Sequence, residues 1–262
     1  NSGIPSQPAT GSQVANNFNI SGTAADAGTH LNSTNGLSKV EVFLTNLTTG
    51  QHWNGTAWGA TATFLTAAST NNFATWSYQF TAPITNGSIY TTGARATDKA
   101  NNQTDSTLLS LVGDTVVPAI NSITLTNTTL GGTAIFKNTN NIVLTATITD
   151  NLGQASMGVN NINADLSAIT GNAGDNAVVP ASYNTANGLA TWTAVAGNVA
   201  TDGAKNVPIT ATDLAGNAGN ASNSITADNT APAITAATLT SPSAADLTWK
   251  GGSVQNITWN QA

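Results

Sequence analysis

The chain has 262 residues, with 12 acidic and 6 basic side chains and a formal net charge of -6 at pH 7. Only 7% of its residues are charged, whereas an ordinary soluble domain has roughly 25%. With so few cations the chain cannot neutralise the phosphates of a nucleic acid or bind an anionic membrane surface, so we expect neither as a partner. One glutamate, two histidines and no cysteine leave few groups for acid-base, nucleophilic or metal catalysis, and we predict that the chain is not an enzyme.

Threonine (44 residues), alanine and asparagine (34 residues) are the commonest residue types. Alternating Thr/Val runs separated by Asn, Gly and Asp are typical of short strands joined by tight turns. No stretch approaches the 18 apolar residues of a membrane span. The chain opens at Asn1 with polar residues, as a secreted protein does after its leader is removed. We therefore predict an extracellular, all-β protein.

The alternation of apolar and polar residues predicts strands in chain order, and no helix longer than a turn or two. The first half contains predicted strands at 17–24, 38–45, 61–66, 73–80, 88–97 and 104–112. The second half contains predicted strands at 120–126, 141–149, 158–168, 188–195, 205–212 and 219–227.

Internal repeats divide the chain. The segment ATDKANN at 96–102 returns as ATDLAGN at 211–217, and ATWS at 74–77 returns as ATWT at 190–193. The segment DTVVPAI at 114–120 returns as DNTAPAI at 228–234. These matches predict repeat 1 at 1–113, repeat 2 at 114–227, and the opening of a third repeat at 228–262.

Each full repeat is close to the roughly 100 residues of a seven-stranded immunoglobulin-like sandwich. The predicted fold is therefore all-β, with tandem immunoglobulin-like β-sandwich domains and a partial third repeat at the C-terminus. Trp76 and Trp192 occupy equivalent positions in mid-strand, where a tryptophan is expected to fill the core.

Four aspartates recur at the ends of strands and repeats: Asp98, Asp114, Asp213 and Asp228. One interpretation is structural, because an aspartate side chain accepts hydrogen bonds from the backbone of its own turn. The other is a calcium site, because carboxylate and carbonyl oxygens are the ligands that calcium prefers. No D-x-D-x-D-G loop is present to decide between them.

Trp53 and Trp58 flank the turn Asn54-Gly55-Thr56 in repeat 1 and have no counterpart in repeat 2. The two rings either close one end of the sandwich or form a platform on which a sugar ring stacks. We keep carbohydrate binding by Trp53 and Trp58 as the second interpretation.

Nine Asn-x-Ser/Thr triplets make glycosylation chemically permitted. Chance predicts about as many at this content of Asn, Ser and Thr, so the count does not indicate glycosylation. The acceptor asparagines are Asn19, Asn32, Asn46, Asn54, Asn86, Asn102, Asn127, Asn220 and Asn256.

The hairpin WNGTAW at 53–58 and the closing turn ATDKANN at 96–102 resemble the bacterial Ig-like repeats of large secreted and cell-surface proteins, of surface-layer or adhesin type. The resemblance implies an immunoglobulin-like fold and a cell-surface location. Asn101 stands where these repeats usually have glycine, so the turn at 96–102 is expected to differ slightly.

The resemblance and the low charge lead to one main hypothesis and two alternatives. The main one is a structural, non-enzymatic subunit or segment of a surface layer, sheath or filament, which associates with copies of itself because few charges need desolvation. The alternatives are an adhesin or carbohydrate-binding stalk that recognises cell-surface glycans, and a spacer region of a larger secreted enzyme.

The last segment, 228–262, matches only the first strands of a repeat. Two strands by themselves are marginally stable in water and leave open edges. We expect the native chain to continue beyond Ala262, with strand donation to a neighbouring subunit as the alternative.

Overall fold

The computed structural model describes residues 4–26, 36–153 and 161–233. These residues form two β-sandwiches in tandem. The strands of the first are β1 Ile4–Gln7, β2 Gln13–Val14, β3 Asn19–Thr23, β4 Leu37–Asn46, β5 Gln51–Trp53, β6 Trp58–Gly59, β7 Leu65–Thr66, β8 Thr75–Gln79, β9 Ile89–Asp98, β10 Gln103–Asp105 and β11 Leu109–Gly113.

One sheet of the first sandwich has the strand order β1-β3-β8. The other has the order β2-β11-β9-β4-β5-β6, with β10 also paired to β9 and β7 to β4. Neighbouring strands are antiparallel except β2, which runs parallel to the last strand, β11. The end of the repeat is thereby fixed against its beginning, and Asp114 N extends this contact by donating to Val14 O (2.9 Å).

The second sandwich repeats this plan. Its strands are β12 Ala119–Asn127, β13 Ile135–Phe136, β14 Asn141–Thr149, β15 Ile162–Ala164, β16 Ser182–Asn184, β17 Leu189–Thr191, β18 Val195–Ala196, β19 Gly203–Thr212 and β20 Ala218–Ala227. The sheets have the orders β12-β14-β17-β16, with β18 beside β14, and β13-β20-β19-β15. Here β13 runs parallel to the last strand, β20.

Two separate hydrophobic cores lie between the sheets. In β14, Ile142, Leu144, Ala146 and Ile148 alternate inward, as expected for a strand with one buried face. Trp76 and Trp192 are both buried, each in the core of its own repeat. The all-β, tandem immunoglobulin-like sandwich fold predicted from the sequence is confirmed.

Several predicted strand boundaries are wrong. The segment predicted at 61–66 contributes only the two residues of β7, and the segments at 104–112 and 188–195 are each divided into two strands. In the segment predicted at 158–168, β15 is followed by a short helix, α1, at Ser167–Thr170. Asp165 Oδ1 accepts hydrogen bonds from the backbone N (2.9 Å) and the hydroxyl of Ser167, which form a turn between the strand and the helix.

The strands predicted for a third repeat lie almost entirely outside the described residues, as does most of 228–262. The prediction that this segment opens a third sandwich remains untested.

Candidate metal centre

Three carboxylates meet where the two sandwiches join. Asp114 follows the last strand of the first sandwich, whereas Asp150 follows β14 and Asp213 follows β19 of the second. One carboxylate oxygen from each residue lies within 4.8 Å of one from each of the others. The cluster therefore combines one residue from the linker with two residues from repeat 2.

Asp114 is fully buried, with no exposed surface. Its Oδ1 accepts a hydrogen bond from Val116 N (3.2 Å). Its Oδ2 is also buried and has no hydrogen-bond partner among the residues that the structure describes. Burial of a carboxylate oxygen without a partner is costly, because the oxygen loses its hydration without replacement.

The tight turn that follows β19 holds Asp213. Asp213 Oδ1 accepts from Asn217 N (2.9 Å), and Oδ2 accepts from Asn217 Nδ2 (2.8 Å). The same Nδ2 also donates to the backbone O of Asp114 (3.1 Å). This asparagine therefore connects the turn of repeat 2 to the end of repeat 1.

Asp150 and Asn151 complete the surroundings of the cluster. Asp150 is half-buried, and its Oδ2 accepts from Leu152 N (3.2 Å). In one orientation of its amide, Asn151 Nδ2 donates to Asn86 Oδ1 of repeat 1 (3.0 Å). In the opposite orientation, the nitrogen lies 3.2 Å from Asp150 Oδ1 and 3.3 Å from Asp114 Oδ1. The amide can thus present either a donor or an oxygen to the carboxylates.

Three ionised carboxylates without a counter-ion would repel one another in this cluster. Burial raises the pKa of Asp114 above its ordinary value, and the neighbouring charges of Asp150 and Asp213 add to the increase, while the hydrogen bond from Val116 N opposes it. Like charges in a region of low dielectric destabilise one another unless a proton or a cation lies between them. The arrangement is chemically suited to holding a cation.

The predicted calcium ligands separate into two groups. Asp114 and Asp213 are brought together, whereas Asp98 and Asp228 lie elsewhere. Asp98 lies at the far end of β9, whose nine residue steps of about 3.3 Å place it roughly 30 Å from the end near the junction. Asp228 is exposed at the end of repeat 2, and its Oδ1 accepts from Thr230 N (3.2 Å). These two positions do not belong to the cluster.

Asp98 forms the same kind of turn as Asp213. Its Oδ1 accepts from Ala100 N (2.7 Å) and Asn102 N (2.8 Å), and these bonds together with the one from Asn102 Nδ2 lower its pKa. Asn101 has φ 68° and the equivalent Gly216 has φ 92°. Asparagine tolerates this left-handed conformation, and both turns have the bonds from Asn102 or Asn217 to the aspartate. Among the described residues, the turn of repeat 1 differs by one further bond, from Ala100 N to Asp98 Oδ1.

The sequence reasoning missed Asp150. A signal was present, because Asp150 directly follows a strongly alternating strand, as Asp213 does. Asp150 lies outside the ATDxAxN motif, however, and only the folded sandwich shows that the ends of β14 and β19 lie side by side.

Trp53 and Trp58 pack against each other with their ring centroids 5.5 Å apart. Trp53 is only 3% exposed and belongs to the core of repeat 1. Trp58 is partly exposed, and its Nε1 donates to Pro83 O (3.0 Å). The two rings therefore cannot both stack on a sugar. Carbohydrate binding stays a prediction, and the burial of Trp53 argues against it.

The predicted glycosylation sites differ in accessibility. Asn46 and Asn127 are buried, and the side-chain nitrogen of Asn127 donates to Ile135 O (2.8 Å), so these two triplets cannot carry a glycan in this fold. Asn102 is exposed, but its nitrogen is bound to Asp98. The exposed acceptors are Asn19, Asn54, Asn86 and Asn220. Asn32 and Asn256 lie outside the described residues.

Comparisons with known proteins gave matches among solved structures only. No family model matches it, and no curated protein matches it. It is similar to the fibronectin(III)-like modules of Clostridium thermocellum CbhA, at 17% identity and a TM-score of 0.45, over 86% of this chain and 93% of that one.

Two adhesin structures are similar over part of their length. A tetra-tandem repeat from the extending region of a large adhesion protein has 20% identity and a TM-score of 0.31, covering 84% of this chain and 47% of that one. A 1.5-MDa bacterial ice-binding adhesin has 18% identity and a TM-score of 0.34, covering 85% and 62%.

Among the described residues, none of the helices is long and apolar enough to cross a membrane.

Proposed function

We propose that this chain is a structural, non-enzymatic segment of an extracellular surface layer, sheath or filament, in which tandem sandwiches act as building units. The observation that carries the proposal is the ordered junction between the repeats. Asp114 is buried there, and Asn217 Nδ2 of repeat 2 donates to its backbone O (3.1 Å). A junction of this kind transmits the orientation of one unit to the next, as a structural chain requires.

The surface supports the same proposal. The described residues include exposed Leu47 and Ile89, which are adjacent because Leu47 N donates to Ile89 O (2.8 Å). Leu108 is also exposed on the same repeat. With only 7% charged residues in the chain, contact between copies would bury few ions, so association does not meet a large desolvation cost.

Electron microscopy together with sedimentation velocity tests the proposal. If the chain is an assembling subunit, the purified protein forms lattices or filaments as its concentration increases. A chain that stays monomeric and featureless at every concentration would contradict self-assembly and favour the spacer alternative. Glycan binding that disappears in Trp58→Ala would favour the carbohydrate-binding stalk instead.

A further inference from the structure

We propose that the junction binds one calcium ion, held by the carboxylates of Asp114, Asp150 and Asp213. This set differs from the four aspartates singled out in the sequence, because it contains Asp150 and excludes Asp98 and Asp228. The ion would connect the linker to two strand ends of repeat 2. The proposal does not depend on whether the chain forms a layer, a filament or a spacer.

The unpartnered oxygen of Asp114 is the independent observation that points to a ligand. Acidic residues often gather on protein surfaces without binding anything, but Asp114 has no exposed surface. Its Oδ2 is buried and lacks a hydrogen-bond partner among the described residues. A cation bound by the Asp114 carboxylate would offset the lost hydration of this group and the repulsion between the three carboxylates at once.

The chemistry of the ligands favours calcium over other divalent cations. The three side chains provide only hard oxygen ligands, and the chain has no cysteine, so the set lacks the nitrogen and sulfur ligands that zinc prefers. Calcium binds oxygen at about 2.3 to 2.6 Å, and ligands on opposite sides of it lie up to about 5 Å apart. The carboxylate oxygens, all within 4.8 Å of one another, can therefore reach one ion.

Magnesium fits less well. It requires near-octahedral geometry at about 2.0 to 2.1 Å and retains several water molecules. The amide of Asn151 lies beside the site. With its nitrogen toward the cluster, that nitrogen is 3.2 Å from Asp150 Oδ1 and 3.3 Å from Asp114 Oδ1, and rotation of the amide would place its oxygen there instead. An amide oxygen is an ordinary ligand for calcium in proteins.

The position of the ion has a mechanical consequence. Asp114 belongs to the segment that leaves β11, and this segment is fixed to repeat 1 through Asp114 N and Val14 O (2.9 Å). Asp150 and Asp213 belong to repeat 2. A shared ion would therefore couple the two repeats, and its removal would leave like charges repelling one another across the junction.

Calorimetric titration of calcium chloride into the metal-free protein tests the proposal. We expect one ion per chain, with a dissociation constant on the order of 10⁻⁴ to 10⁻³ M, as in other extracellular modules. Asp150→Asn and Asp213→Asn should each weaken binding by about tenfold or more. Calcium should also raise the melting temperature of the wild type and not that of Asp150→Asn.

Asp98→Asn is the matched control. Asp98 accepts hydrogen bonds from Asn102 in the same way that Asp213 accepts them from Asn217, but it lies outside the cluster. If Asp213→Asn loses calcium binding and Asp98→Asn retains it, then Asp213 is a ligand of the ion and does more than stabilise its turn. Asp150→Asn keeps an amide oxygen that can still accept the bond from Leu152 N, so it provides a second test if Asp213→Asn fails to fold.

Three results would overturn the proposal. The first is no heat of binding and no stabilisation by calcium at about 10 mM, well above the expected dissociation constant; the buried carboxyl would then be satisfied by a proton. The second is a folded Asp150→Asn protein that binds calcium as the wild type does. The third is equal affinity for magnesium and calcium, which would contradict the assignment of the ion.

Discussion

Trp76 and Trp192 occupy equivalent positions in the two repeats but differ in one hydrogen bond. Trp192 Nε1 donates to Val178 O (2.7 Å), whereas Trp76 Nε1 is buried without a hydrogen-bond partner among the described residues. Both rings fill their cores: Trp192 is 1% exposed and Trp76 is 3% exposed. The two sites therefore separate the contribution of ring packing from that of the indole hydrogen bond.

We predict that Trp192→Phe destabilises the protein more than Trp76→Phe does, by about 1 kcal/mol, because only the former removes a hydrogen bond. Urea unfolding of both variants measures the difference in the free energy of unfolding. Equal losses would show that the Trp76 indole has a partner outside the described residues.

Arg95 and Asp105 form a surface ion pair with two contacts, Nε to Oδ1 at 2.6 Å and Nη2 to Oδ2 at 2.9 Å. The guanidinium also lies over the ring of Phe64, 4.2 Å from its centroid. The hydrogen bond from Arg95 lowers the pKa of Asp105. Because the Asp105 side chain is 58% exposed, water and salt weaken this attraction.

We expect Asp105→Asn to cost less than about 1 kcal/mol at neutral pH. A lowered pKa in the folded protein means that this stabilisation is present above the ordinary pKa near pH 4 and is lost as the pH falls through the lowered value. Unfolding curves of wild type and variant should therefore converge in strong acid. A difference that does not narrow as the pH falls from neutral into strong acid would contradict the charge explanation.

At the scale of elements, a glycine allows the linker to approach the second sandwich. A Cβ atom at Gly219, in β20, would lie 2.0 Å from Pro118 O and 3.1 Å from the carbonyl carbon. Both contacts are with backbone, so the linker would have to move. The neighbouring turn contains Asn217, whose contact with Asp114 O depends on this approach.

We predict that Gly219→Ala destabilises the protein by about 1 to 3 kcal/mol, as overpacking does elsewhere. Gly59→Ala is the control, because its Cβ would meet nothing within 4 Å. Thermal unfolding of the two variants measures the effect. A Gly219→Ala protein as stable as Gly59→Ala would mean that the linker moves without cost.

At the scale of the whole molecule, the two hydrophobic cores have no residue in common. The buried apolar residues of the first lie between Val14 and Leu111, and those of the second between Leu125 and Ala227. Contacts at the junction include the hydrogen bonds from Asn217 Nδ2 to Asp114 O and between the side chains of Asn151 and Asn86. We therefore expect each repeat to unfold as a unit of its own when divalent cations are removed.

The corresponding variant is Trp192→Ala, which should destabilise repeat 2 by about 3 to 5 kcal/mol through the cavity that it leaves. Scanning calorimetry in a chelator should show one transition moved to lower temperature and the other unchanged. Trp76→Ala should move the other transition. A single cooperative transition for wild type and both variants would contradict the division into two repeats.

The sequence by itself determined the fold class, the tandem repeats and most long strands, because these depend on local alternation and on self-similarity along the chain. Strand β14 is an example, with buried residues at every second position. The short strands β2 and β13 were missed, because two residues carry no periodicity and are strands only by pairing with β11 and β20.

Only the tertiary structure decided which aspartates meet. Asp98 and Asp213 have the same local sequence and the same turn, yet Asp213 alone lies beside Asp114 and Asp150, because the linker of a preceding repeat packs against it. The ends of β14 and β19 belong to opposite sheets and come together only when the two sheets pack face to face, which local sequence does not encode. The burial of Trp53 also depends on tertiary packing. The sequence predicts the turn that follows this residue, but not the core that covers its ring.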